Sequence, residues 1–92
     1  MSPVIHRITL DVKDEQIIVM HPAAQILSVA PTRDGGSSQI DLWFSAYPND
    51  RTHSARPVYM AGTGHPLPDG RFVGTVVTPS GLVWHVFEGD PA

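Results

Sequence analysis

From Val4 to Glu88 the chain alternates apolar and polar residues in short runs, and no stretch repeats at the spacing of an amphipathic helix. A chain so patterned must pair its runs into sheets. Val4, His6, Ile8, Leu10 and Val12 fall on one face of a first strand, with Ile5, Arg7, Thr9 and Asp11 on the other. The polar turn Lys13-Asp14-Glu15 leads to a second strand over Gln16–Met20, and His21-Pro22-Ala23-Ala24 separates it from a third over Gln25–Ala30. Asp34-Gly35-Gly36 is a turn signal before a fourth strand, in which Ile40, Leu42, Phe44 and Ala46 oppose Asp41, Trp43, Ser45 and Tyr47. A polar loop over Pro48–Ala55 precedes a fifth strand over Arg56–Ala61, where Pro57 suggests a sheet edge or a strand start. Arg71–Thr78 and Leu82–Glu88 close the chain as a hairpin turned at Pro79-Ser80-Gly81. About seven short antiparallel strands, punctuated by turns, predict an all-β fold: a small sandwich or a partly open barrel. Asp14–Ile18 and Pro22–Gln25 are the only places with room for a helical turn.

Ninety-two residues make a single β domain, 1–92, with 89–92 read as a flexible tail. A chain this short buries only about 60–65% of its unfolded surface, and it has no cysteine to staple the core. Self-association into a homo-oligomer is therefore expected. The formal charge of −3 argues against long DNA or RNA as a partner, because neither would meet a basic stripe. It leaves room for a small anion held by one or two arginines. No apolar run approaches a membrane span and the first residues carry no signal-peptide core, so a cytoplasmic protein without a membrane partner is expected.

The fifth and sixth strands are joined by Gly62-Thr63-Gly64-His65-Pro66-Leu67-Pro68-Asp69-Gly70, followed by Arg71. Proline stiffens such a loop while glycine lets the backbone approach a ligand closely. It is not a P-loop, lacking Gly-Lys-Ser/Thr and a following helix, nor a dinucleotide fingerprint. Successive backbone N–H groups at Thr63 and Gly64 can still form an anion nest, with His65 donating to a phosphate or base and Arg71 gripping two oxygens. The plainer alternative is a tight β-connection in which His65 caps the turn and Arg71 pairs with Asp69.

Trp43, Tyr47 and Tyr59 sit on nominally solvated strand faces, which marks either a subunit interface or a stacking surface. In Leu82–Glu88 both faces are apolar, which suggests a central strand, and His85 reads as a hydrogen-bonded interior histidine. The five histidines show no metal-binding spacing, Ser45 and Ser80 lack a nucleophile-elbow context, and the carboxylates are scattered. The sequence thus offers no catalytic residue, no metal site and no cofactor motif.

Ile26-Leu27-Ser28-Val29, Leu42-Trp43, Gly62–Pro68, Phe72-Val73-Gly74-Thr75 and Val83–Glu88 together resemble a family of short bacteriophage proteins. That family has a "GTGHPLP" loop and a closing "HVFE" strand, and its members are mostly of unknown function. The resemblance runs from about Ile5 to Glu88, with a longer Arg33–Ser38 turn and a more polar Pro48–Ala55 loop than in many relatives. By size, source and loop chemistry the chain also looks like viral sponge proteins, which sequester cyclic oligonucleotide signals of bacterial anti-phage defence as homo-oligomers without cleaving them. That likeness implies a cyclic dinucleotide-class ligand in an infected host cell. Thr63, Gly64, His65 and Arg71 would contact phosphate or base edge, and Trp43 and Tyr59 would stack. Two other readings stay open: a structural or protein-interaction module, such as a minor virion or host-takeover factor, and a small hydrolase with His65 or His85 as base.

Overall fold

A computed structural model describes residues 2–90. Seven strands follow one another: β1 (Val4–Asp11), β2 (Glu15–Met20), β3 (Ile26–Pro31), β4 (Gln39–Ala46), β5 (Ser54–Gly62), β6 (Arg71–Val77) and β7 (Val83–Glu88). They form two antiparallel sheets, β1-β4-β3 and β2-β5-β7-β6, packed as a sandwich. Each strand lies within about two residues of its expected span, because alternation and turn residues agree along the chain. Neither segment considered for a helical turn is helical: Glu15–Ile18 belongs to β2, and Pro22–Gln25 is a turn closed by Ala24 N–H donating to His21 O.

The core is what the pleat turns inward. Leu10, Ile18, Met20, Ile26, Ile40, Leu42, Val58, Met60, Val76 and Val86 are buried in one cluster. β3 and β6, edge strands of different sheets, pack together and close one side, with Val29 against Gly74. The side formed by β1 and β2 is more open, and Val4, Ile5, Ile8, Ile17 and Val19 remain exposed there. The expected tail falls partly outside the described residues, at 91 and 92; Gly89 is held by its N–H donating to Pro57 O at 2.9 Å.

Pro57 marks no edge. β5 lies between β2 and β7, and Pro57 sits opposite Ile17 where β7 ends, so its missing N–H costs little of the ladder. β7 is central, as its two apolar faces require.

Two charged features lie where alternation places them. Arg56 shares parity with Val58 and Met60, and Glu88 with Trp84 and Val86, so both turn inward and are buried. Arg56 donates to Glu88 Oε2 at 3.1 Å and to the carbonyls of Ala24 (3.1 Å) and Pro22 (3.3 Å), tying β5, β7 and the β2–β3 turn together. Asp41 shares the outward parity of Trp43 and Ser45 on β4 and is nonetheless buried. Burial pushes its pKa up, but the Thr9 hydroxyl, the Arg7 guanidinium and the Arg33 N–H outweigh this and hold the carboxyl below its ordinary value.

Candidate ligand-binding site

The β5–β6 loop folds onto the outer face of the larger sheet. It opens with a turn in which His65 N–H donates to Gly62 O at 3.0 Å, with Gly64 at φ +92°, the left-handed conformation that suits glycine. The His65 ring folds back so that Nδ1 accepts the Gly62 N–H at 3.0 Å. An accepting Nδ1 makes the neutral ring a donor at Nε2. The histidine therefore caps the turn and still offers one N–H outward.

Beneath the loop is a cleft of about 260 Å³, lined by Pro66 and Leu67 above, Phe72 and Phe87 below, and Thr63, His65 and His85 at its polar side. Phe72 and Phe87 meet edge-on at 5.4 Å between ring centres. His85 is not interior: it stands partly exposed on the outer face, with Nε2 2.9 Å from Thr63 Oγ1 and Nδ1 3.0 Å from Thr75 Oγ1. A hydroxyl beside an imidazole is half of a nucleophile–base pair, but here the ring's other nitrogen meets a threonine, not an orienting carboxylate. The arrangement can bind and orient; it lacks the third member of a triad. On the other side of His65 and Pro66 a second hollow of about 400 Å³ is lined by Asp14, Glu15, Tyr59 and Met60.

The structure gathers Tyr59, Thr63, Gly64 and His65 around these two hollows and leaves Trp43 and Arg71 elsewhere. Trp43 lies on the outer face of the smaller sheet, opposite Arg7 and Ser28 in register. It does not share a surface with Tyr59, and Tyr47 joins neither, its ring stacking on His21 at 4.3 Å. Arg71 turns to the inner side, where it pairs with Glu88 and donates to Ile26 O at 3.1 Å. Its partner is Glu88 and not Asp69, and its fork is engaged. Sequence alone does not mark Phe72 or Phe87 as ligand residues, and it places His85 in the interior; the pairing of β6 with β7 is what brings all three beside the loop.

The far end of β5 carries a third hollow, of about 280 Å³, lined among others by His6, His21, Phe44, Tyr47, Arg51 and His53. His21 Nδ1 accepts the Ala23 N–H at 3.0 Å, so its Nε2–H points to Asp50 Oδ2 at 3.0 Å. The Thr52 N–H, its hydroxyl and the His21 ring lower the Asp50 pKa to about 2. Among the described residues no group of three or more His, Cys, Asp or Glu is placed to hold a metal ion, and no helix is long and apolar enough to cross a membrane.

Fold and site together define a small two-sheet antiparallel sandwich with a loop-roofed cleft on the outer face of its larger sheet. The chain belongs to the family described as Domain of unknown function (DUF7352), whose family model matches residues 1–92. No curated protein and no solved structure gives a significant match.

Proposed function

We propose that this chain is a non-catalytic binding module of bacteriophage origin that withholds a small nucleotide signal, of the cyclic dinucleotide or oligonucleotide class, from bacterial anti-phage defence. The observation that carries the reading is the cleft under the loop: an apolar slot with aromatic rings on one wall and Thr63, His65 and His85 along its edge. A slot of this size takes one flat base, which stacks on Phe72 while its polar edge meets the imidazoles. The Thr63 and Gly64 backbone and the outward His65 Nε2–H then serve a phosphate at the mouth. Arg71 contributes only by leaving Glu88, and Trp43 only through a second copy sharing the ligand. Isothermal titration of the protein with a cyclic nucleotide panel tests this, with the ligand recovered after denaturation. Saturable binding and intact ligand are expected; no heat from any member of the panel removes the reading.

Self-association belongs to the same proposal, and β2 is the edge best suited to it. β3 and β6 each carry a register shift and pack on each other, and β1 presents Arg7 mid-strand. β2 is unbulged and has no charge between Gln16 and Met20, so it lacks the usual protection of a free edge. A second reading, a protein-interaction module, is favoured by Ile17 and Val19, 56% and 66% exposed on that strand. Stoichiometric recovery of one host or virion protein, unaffected by added nucleotide, would favour it.

A further inference from the structure

We propose that the hollow at the far end of β5 is a second binding site, distinct from the loop cleft, for a small aromatic anion: one flat ring bearing a carboxylate or phosphate. It does not rest on the nucleotide reading above. Four segments converge there: the start of β1 with His6, the end of β2 with Met20, the end of β4 with Phe44, and the loop after Tyr47.

Its floor and walls suit a ring. Phe44 and His6 stand edge to face at 6.1 Å, and the Tyr47 and His21 rings, 4.3 Å apart, also line the hollow. Its rim suits an anion. Among the described residues Arg51, His53 and His6 take part in no ion pair, so their donors are available to a ligand. Asp50 is the acid at this end, and its carboxylate already accepts from Thr52 N–H at 2.9 Å and from His21 at 3.0 Å. The same contacts, with Asp50 N–H donating to Tyr47 O at 3.0 Å, fix the loop that carries Arg51.

The loop region differs in charge. There Asp14 and Glu15 line one hollow and Arg71 is engaged by Glu88, whereas here a guanidinium and two imidazoles face a cavity whose acid is satisfied. At about 280 Å³ the hollow is at or below the small end of ligand pockets, which suits a single ring and one charged group.

Chemical-shift titration of the full chain with phenyl phosphate, inorganic phosphate and benzyl alcohol tests this. Phenyl phosphate is expected to shift His6, Tyr47 and His53 saturably, at least about tenfold more tightly than either half-probe. Arg51→Gln should abolish the preference for the charged probe, Tyr47→Ala should weaken binding of both aromatic probes, and Lys13→Gln, which lines neither hollow, should leave binding intact. Equal binding of inorganic and phenyl phosphate, shifts centred on the loop cleft, or no shift at millimolar probe would each overturn the proposal. Failure of cyclic nucleotides to bind would sink the loop-cleft reading and leave this one standing.

Discussion

Replacing Glu88 by alanine strands the Arg56 guanidinium in the core. The Arg56 side chain is 4% exposed and that of Glu88 10%, so their pairing is shielded from solvent. Breaking such a pair from one side costs about 3–5 kcal/mol, chiefly because an uncompensated charge stays buried. Arg56 keeps the carbonyls of Pro22 and Ala24, which argues for the lower end, about 3 kcal/mol. A chain of this length holds only roughly 5–14 kcal/mol, so the variant should lose a large share of its stability and about 12–24 °C in Tm. Arg71→Ala removes a guanidinium that is 58% exposed and solvent-screened, and should cost less than about 1 kcal/mol. The double variant Arg56→Met/Glu88→Leu removes both charges and should recover to within about 1–2 kcal/mol of the parent. Urea unfolding of the four proteins measures these differences. A Glu88→Ala protein within about 0.5 kcal/mol of the parent, or a double variant as unstable as the single, would mean that no uncompensated charge is left buried at Arg56.

Three further outcomes are expected. Gly70→Ala should destabilise by more than about 2 kcal/mol, because Gly70 has φ +137° and a Cβ there would run into the Glu88 carbonyl; Gly64→Ala, at φ +92° in open space, should cost about 1 kcal/mol, both by thermal unfolding. Asp41 has its pKa lowered in the folded state, so its contribution is complete above the ordinary value of 3.8 and is lost as pH falls through the depressed one. Urea midpoints measured downward from pH 5 should therefore fall less steeply in Asp41→Asn than in the parent. If β2 is the self-association edge, Ile17→Lys should convert the protein to monomer in sedimentation velocity with unchanged circular dichroism, while Ile5→Lys on β1 should not.

Strand positions were legible because side-chain parity and turn chemistry are local properties. The inward parity of Arg56 and Glu88 was equally visible, yet a composition-minded reading places charges in solvent, and only the paired strands show the two meeting. Sheet membership was not legible. Trp43 and Tyr59 look equivalent along the chain, but β4 and β5 lie in different sheets, so their rings stand on opposite outer faces. Arg71 follows the loop directly, and adjacency suggested an anion partner; the pleat turns it inward to Glu88 instead. The loop itself was recognisable by its glycines and prolines. The aromatic wall beneath it comes from Phe72 and Phe87, which become neighbours only when β6 pairs with β7.

Whether the cleft beneath the Gly62–Pro68 loop takes a nucleotide base, as proposed, is decided by ¹H–¹⁵N shift mapping of the labelled protein against a panel of cyclic dinucleotides and cyclic oligonucleotides. Saturable shifts at Thr63, Gly64, His65, Phe72 and Phe87, lost in Phe72→Ala and absent around Trp43, are the predicted result. A panel that leaves those amides unmoved, or moves only residues remote from the loop, would contradict it.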